Sequence, residues 1–387
     1  MELMNTIKSS VRHLANKTMR TLIRDEAIRK QLVEKHYAKV AESVNSGSSL
    51  ARRSAYDLLD WRTTLGFRLL CTREVYRANS FYGIERAFRL YAGTNKCIKA
   101  CIEHGVHFGK YTNEQELDNS GLPCLITFGS ERYKHICEVS NTPVVMVGPY
   151  VAYAEDYLSQ TEFVLAKNLV GKTLLVFPSH SVDRVQVNFE ASSFLREIEK
   201  IRKYLCADSV LVCLYYRDLL NGCADIYEHM GYSVVTAGYR EDALFLPRLR
   251  SIIQLADWTM SNSVGTHIGY CSYMGKPHYV YNQEQFYVAN SAFDRSEFDN
   301  EFSASQAKEK EEVAFAFTSL FEKDDRKKKE VLNRYWGFDK VLSVDKMSTL
   351  YAVCELAYKE RSRDRQKCFA ELATQAGLVD TSYSGVM

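Results

Sequence analysis

Short apolar runs alternate with amphipathic segments of helical period between residues 125 and 281, and this alternation limits the fold more than any other feature of the chain. The runs are rich in Val, Leu, Ile and Phe, as buried strands are. They cover residues 125–128, 144–147, 174–177, 210–215, 233–236, 258–260 and 278–281. Helical patterns at residues 192–205, 246–255 and 266–274 lie between them. The alternation predicts an α/β fold with parallel sheets, and the stretch is long enough for two, at about residues 96–165 and 170–285.

The two ends of the chain have a different character. Apolar residues recur at three- and four-residue steps through much of residues 1–95, and no proline occurs before Pro123, so this region is predicted to be helical. Residues 303–321 and 351–373 also have helical patterns. We therefore divide the chain into a basic helical region at 1–95, α/β units at 96–168 and 169–300, and C-terminal helices at 301–387.

The net charge of +2 hides an uneven distribution. Residues 1–95 hold 17 Lys and Arg and 9 Asp and Glu, a net charge of +8, and the rest of the chain carries −6. A total so near neutral argues against a dedicated nucleic-acid-binding protein. Basic residues beside the apolar stripe of residues 1–40 predict contact with an anionic membrane surface. The alternatives are an oligomer interface, which would make the protein a homo-oligomer, and a helix packed against the body.

Cysteines and apolar runs indicate the compartment. The 11 cysteines include no C-x-x-C pair, which predicts reduced thiols. No run approaches the roughly 20 apolar residues of a membrane span, and the N-terminus lacks the apolar core of a secretory signal. We predict a cytoplasmic protein that is soluble or peripheral at the inner face of the membrane.

A cluster of polar residues and glycines at residues 102–109 is the first candidate for chemistry. Glu103 and His104 can accept a proton from a hydroxyl near neutral pH, and Gly105 lets the backbone turn tightly. We favour His104 as the general base because its reference pKa of about 6.5 lies nearest to neutral. Glu103 is the second candidate, or it orients a neighbouring imidazole. The alternative is a polar turn whose histidines bond the backbone.

Two further motifs follow predicted strands and have the chemistry of anion binding. In residues 178–181, His180 and Ser181 offer an imidazole and a hydroxyl to phosphate oxygens. Residues 261–269 combine hydroxyls with the start of a helix, where amides and the helix dipole favour negative charge. The predicted contacts there are Ser261, Ser263, Gly265, Thr266 and His267. The alternatives are an ordinary turn and a well-capped helix.

Other residues that follow strands are weaker candidates for substrate binding. They are Ser130, Arg132, Tyr216 and Arg217, with Tyr239 and Arg240 in a similar position. The chain has no Asp-x-Asp pair, no Walker loop and no Gly-x-Gly-x-x-Gly loop, so none of these metal or phosphate sites is predicted. No metal ligand is assigned.

These motifs resemble those of GT-B glycosyltransferases that build bacterial surface polysaccharides. The His104-Gly105 turn resembles the acceptor-side His-Gly turn of the CDP-glycerol phosphotransferases. His180, with Ser261 and Ser263, resembles the donor-side phosphate site that those enzymes share with the CMP-sugar transferases for sialic acid and Kdo. Residues 256–281 are similar to the end of many GT-B donor domains, and residues 335–338 resemble the start of the C-terminal helices that cross back in that family.

The resemblance implies two Rossmann-like domains that face a cleft, with the acceptor at residues 96–168, the nucleotide-sugar donor at 169–300, and an added helical N-terminal region. It implies a glycosyltransferase of capsule or lipopolysaccharide synthesis that needs no metal or other cofactor and acts on a glycan or lipid-linked acceptor. Ser181 replaces the proline that follows histidine in the family, so the donor nucleotide stays open: CMP or UDP, with GDP and dTDP also possible. A nucleotide-sugar epimerase-like enzyme and a non-catalytic scaffold of a glycan assembly complex are the other interpretations.

Overall fold

The computed structural model describes residues 54–70, 75–112, 121–182, 185–289, 304–320 and 326–379. Within them, the strands form two parallel sheets and one antiparallel pair, with helices packed around them. The predicted α/β class is confirmed. The described part of the N-terminal region is largely helical, whereas residues 1–40, on which the predicted membrane contact falls, lie outside the described residues.

The first parallel sheet has three short strands in the order β1-β2-β3. They are β1, Cys101–Ile102, β2, Leu125–Thr127, and β3, Val144–Met146. Every residue of these strands is buried, as is typical of parallel strands with both faces covered.

The second parallel sheet has five strands in the order β7-β6-β4-β8-β9. The strands of this half are β4 Thr173–Phe177, β5 Val185–Asn188, β6 Ser209–Cys213, β7 Ser233–Val235, β8 Trp258–Ser261, β9 His278–Val280 and β10 Phe286–Ala289. Strands β5 and β10 pair with each other in antiparallel register, outside the parallel sheet. No local sequence pattern predicts this pair.

The helices predicted between the strands are present, with ends that shift by only one or two residues. The α-helices are α1 Ala55–Leu59, α2 Trp61–Gly66, α3 Ile84–Tyr91, α4 Ser130–Cys137, α5 Gln160–Val170, α6 Ala191–Leu205, α7 Tyr216–Leu220, α8 Asp225–Glu228, α9 Phe245–Leu255, α10 Thr266–Tyr273, α11 Ala304–Ala316, α12 Arg326–Val331, α13 Val344–Tyr358 and α14 Arg365–Gln375. Short 3₁₀ segments cover Arg77–Gly83, Tyr150–Tyr153, Phe338–Lys340 and Ser362–Asp364, and Leu332–Trp336 is a π-helical turn.

The C-terminal helices lie against the first half of the chain. The Sγ atom of Cys354 on α13 is 3.8 Å from that of Cys124, and the Tyr351 hydroxyl is 3.2 Å from Oε1 of Glu85 on α3. The single helix predicted over residues 351–373 is wrong, because α13 and α14 are separate helices. Six consecutive polar residues stand between them, so no apolar position continues the buried stripe of α13 through the break.

Two glycines let the C-terminal segment around Trp336, here called the tail, pack closely between the sheets. A Cβ on Gly269 of α10 would overlap the ring of Trp336, and a Cβ on Gly337, which has a φ of +64°, would overlap the Phe128 carbonyl. Trp336 is completely buried, and its indole nitrogen donates to the Thr266 carbonyl at 3.2 Å. The tail is thereby fixed at the start of α10 and at the end of β2.

One continuous apolar core joins the two sheets. It includes Ile102 and Ile126 of the first sheet, Leu175 and Leu211 of the second, and Trp336 of the tail. Because these side chains share a core, the loops at the ends of the two sheets are held in a defined relation to each other.

Candidate functional site

Loops that follow strands of both sheets meet at the carboxyl ends of those strands. The amide of Val106, after β1, donates to Oγ1 of Thr266, after β8, at 3.0 Å. The amide of Tyr82 donates at 2.6 Å to the carbonyl of Arg240, which follows β7. Ligands of open α/β proteins bind at such strand ends. The first and third predicted motifs therefore lie side by side, although they are 160 residues apart in sequence.

Asn262 joins the second motif to the third. Its Oδ1 atom accepts hydrogen bonds from the amide and the hydroxyl of Ser179, at 2.7 and 2.8 Å. Ser179 immediately precedes His180, and Asn262 immediately precedes Ser263. All three predicted motifs thus converge in one place, which we call the cleft site.

His104 lies at the end of β1 and packs against aromatic rings. The Phe81 ring meets it edge-on at 5.1 Å, and the Tyr82 ring lies at 6.4 Å. Its Nδ1 atom is buried without a hydrogen-bond partner in the described part of the chain. Burial lowers the pKa of His104 to about 4, and the nearby His107 and Arg240 act in the same direction. The imidazole is therefore neutral at pH 7 and able to accept a proton, although it is a weaker base than its reference pKa predicts.

The structure corrects the role of Glu103, the second candidate base. Glu103 is only 1% exposed, and its carboxylate accepts hydrogen bonds from Arg132 at 2.6 and 2.9 Å and from Thr127 at 2.6 Å. Burial alone would raise the pKa of Glu103, but the Arg132 guanidinium holds that pKa below its usual value. With both oxygens paired to protein groups, this buried carboxylate holds Arg132 in place rather than facing a substrate hydroxyl.

The same ion pair corrects the prediction that Arg132 contacts a substrate. Arg132 is 3% exposed and also donates to the Tyr111 carbonyl at 2.6 Å, so its donors face the protein interior. Ser130, the other candidate in this segment, begins α4 directly after β2 and is partly exposed. Its contact with a substrate stays a prediction.

The start of α10 supplies the features that bind anions. Gly265 is the N-cap residue in extended backbone, and α10 begins at Thr266. The first amides of a helix have no partner within the helix and lie at the positive end of its dipole. His267 stacks on Phe177 at 5.0 Å, and its Nε2 atom is buried without a partner among the described residues. Burial lowers the pKa of His267 to about 3, so this ring is neutral at pH 7.

Ser261 is corrected from a ligand contact to a support of the loop. It is completely buried. Its hydroxyl donates to the Ser263 carbonyl at 2.8 Å and lies 3.1 Å from Nε2 of His278. Ser263 is partly exposed and is the serine of this motif that can face a ligand.

His180 and Ser181 also differ in their surroundings. His180 is exposed, with its ring 4.9 Å from the Tyr215 ring. Ser181 is buried: its amide donates to the Asp218 carboxylate at 3.2 Å, and its hydroxyl accepts from the Val187 amide at 3.2 Å. Burial raises the pKa of Asp218. Ser181 and Asp218 therefore hold the turn that presents His180, which corrects the predicted phosphate contact of Ser181.

Aromatic rings form a row across the carboxyl end of the second sheet. Tyr215 and Tyr216 are 4.6 Å apart, and Tyr216 and Tyr239 are 5.1 Å apart. Tyr216 is buried, and its contact with a substrate stays a prediction. Arg217 lies over the Tyr216 ring at 5.5 Å and is partly exposed.

Phe81 and Tyr82 also belong to the cleft site, although they are not among the predicted site residues. Tyr82 has a φ of +58°, an uncommon conformation for a residue with a side chain, and it shares a hydrogen bond with Tyr215. The Arg240 guanidinium lies 4.2 Å from the centre of the Phe81 ring. No sequence motif marks this segment, and only its position between the two sheets shows that it belongs to the site.

Comparisons with known proteins add little to this geometry. The sequence matches no protein-family model and no curated protein. A solved structure, that of the wall teichoic acid polymerase TagF, is similar over 72% of this chain and 68% of that chain, at 10% sequence identity and a TM-score of 0.34. Within the described residues, no helix is long and apolar enough to cross a membrane.

Proposed function

We propose that this protein is a glycosyltransferase that moves a sugar from a nucleotide-sugar to a glycan or lipid-linked acceptor in bacterial surface-polysaccharide synthesis. One observation carries the proposal: the His104 turn of the first sheet adjoins the helix start at Thr266 of the second, through the 3.0 Å hydrogen bond from Val106. A group that can take a proton and a site suited to phosphate thus lie beside each other at the ends of the two sheets.

In the proposed reaction, His104 and the start of α10 have different roles. His104 accepts the proton of the acceptor hydroxyl, whose oxygen forms the new bond to the anomeric carbon as the bond to the donor phosphate breaks. The amides at the start of α10, with Ser263 and His180, stabilise the negative charge that develops on the departing nucleotide. In this proposal the protein's own donors do this, and no cofactor is assigned.

Acceptor-dependent release of nucleotide tests the function. The full chain is incubated with CMP- and UDP-sugars, with and without isolated capsule or lipopolysaccharide precursors, and free nucleotide and extended glycan are measured. We expect free nucleotide to be released only when the acceptor is present, in an amount equal to that of the extended glycan. Conversion of a free nucleotide-sugar without an acceptor would indicate the epimerase-like alternative. An absence of both nucleotide binding and turnover would indicate the scaffold.

Replacing Ser263 or His180 with alanine is expected to weaken nucleotide binding while the fold is kept. Each change removes a polar group that faces the proposed phosphate position, and losing a hydrogen bond to a charged group costs about 1.5–3 kcal/mol of binding. Calorimetry with the best-bound nucleotide measures the effect. Ser272→Ala, at the other end of α10, and His229→Ala, on the exposed surface after α8, are matched controls. Unchanged affinity in both test variants would remove these residues from the site.

The basic N-terminal region is proposed to hold the protein at an anionic membrane, where a lipid-linked acceptor resides. Each Lys or Arg near such a surface contributes about 1 kcal/mol. Replacing Lys8, Arg12, Lys17 and Arg20 with glutamine should therefore reduce recovery of the protein with floated phosphatidylglycerol vesicles. Equal recovery of the variant and the parent protein would contradict the membrane contact. Neutral phosphatidylcholine vesicles are the control for binding that does not depend on charge.

A further inference from the structure

Three side chains of the kinds that bind metal ions meet beside the loop that carries His104. They come from two helices that are far apart in sequence. Glu131 and His135 lie one turn apart on α4, and Glu309 comes from α11. Nε2 of His135 is 2.7 Å from Oε1 of Glu309, and one ligand atom from each of the three residues lies within 4.8 Å of the others. We call these residues the Glu-His-Glu cluster. It contains none of the histidines of the cleft site.

The histidine of this cluster is deeply buried. His135 is 6% exposed, and its ring points into the cluster toward Glu309. Its second nitrogen, Nδ1, is buried without a hydrogen-bond partner in the described part of the chain. The other oxygen of Glu309 accepts the amide of Gly109 at 2.7 Å. A backbone donor therefore orients the carboxylate, as donors around ligating carboxylates commonly do.

Several carboxylates lie close together around the cluster. Glu131, Glu309 and Glu312 bring three carboxylates together, and Arg334 is the partly buried cation among them. The Arg334 guanidinium bonds Glu312 closely and is 3.5 Å from Glu131. Lys134 approaches Glu131 only at 3.6 Å, and its side chain is 52% exposed. Partly buried carboxylates require compensation, and a divalent cation held by Glu131, His135 and Glu309 would supply positive charge beyond that of Arg334.

We infer that the Glu-His-Glu cluster binds one divalent transition-metal ion through His135, Glu131 and Glu309, with water completing the coordination. One imidazole with two carboxylates is a ligand set that suits Zn²⁺ or Mn²⁺. The ion would tether α11 to α4 and, through Gly109, fix the loop that begins at His104. This inference does not rest on the proposed function, since the ion takes no part in sugar transfer.

Cobalt(II) is a suitable probe because the chain also contains 11 cysteines. The full chain is treated with a chelator, dialysed and titrated with Co²⁺, and binding is followed by calorimetry and by visible absorption. We expect one equivalent to bind with weak d–d bands and without the intense near-ultraviolet band of a cobalt–thiolate bond. Absence of saturable binding, or a thiolate band, would overturn the inference.

Substitutions then locate the ion. His135→Gln and Glu309→Gln should each weaken Co²⁺ binding by at least about a hundredfold, since even residues that only support ligands contribute 10- to 100-fold. Glu312→Gln is the matched control, because it removes the same charge beside Arg334 without removing a ligand. Glu131→Gln, at a less buried position, provides a third test if the other variants fold poorly by circular dichroism. Equal affinity in Glu131→Gln, Glu309→Gln and Glu312→Gln would show that the cluster is an ion-pair network only.

Discussion

Replacing His104 with alanine is expected to lower the rate of sugar transfer by about 10²- to 10⁴-fold, the usual contribution of a general base. Donor binding should be preserved, because His104 is not one of the proposed phosphate contacts. The measurement is the transfer rate at saturating donor, with nucleotide affinity determined alongside. A variant that stays within a few-fold of the parent rate would remove His104 from the chemistry.

The pKa of His104 predicts the pH dependence of the same rate. Burial lowers that pKa to about 4, and the neutral imidazole is the form that accepts a proton. The rate should therefore be flat above about pH 5 and fall as the pH drops through about 4. An acidic limb centred near the reference value of about 6.5 would show that the ring is more solvated, or that a different base acts.

Replacing Glu103 with alanine is expected to lower the free energy of unfolding by about 3–5 kcal/mol, because it leaves the Arg132 guanidinium buried without its partner. Urea denaturation measures the change. The double variant Glu103→Leu with Arg132→Met is the control, since it replaces both charges with apolar groups and should recover most of the stability. A stable, correctly folded Glu103→Ala variant that has lost all transfer activity would return Glu103 to the role of base.

The strands and helices could largely be predicted because each has a strong local pattern. Strands such as Thr173–Phe177 are continuous apolar runs, and α6 has one apolar stripe through Phe194 and Ile198. The β5–β10 pair could not be predicted, because Val185–Asn188 alternates in burial over only four residues and its partner lies about 100 residues away.

The motifs of the cleft site could be predicted because parallel strands bring their carboxyl ends to one edge. The sequence could not show which side chains face the cleft. Glu103 and Arg132 are 29 residues apart, and their pairing depends on how α4 packs beside β1. Ser261 is the last residue of β8, and its hydroxyl faces His278 rather than the proposed phosphate position. The direction in which each side chain points depends on residues distant in sequence, which no local pattern can indicate.

Nucleotide binding to the full chain tests the central claim most directly. Thermal unfolding is followed in the presence of CMP, CDP, UDP, GDP and dTDP, and saturation-transfer NMR reports which protons of the nucleotide contact the protein. At about 100 times its dissociation constant, the nucleotide of the true donor should stabilise the fold by roughly 2.7 kcal/mol. His180→Ala should reduce that stabilisation, whereas His229→Ala should not. If none of the five nucleotides stabilises the protein or shows saturation transfer, the cleft site is not a nucleotide-sugar site and the proposed function is wrong.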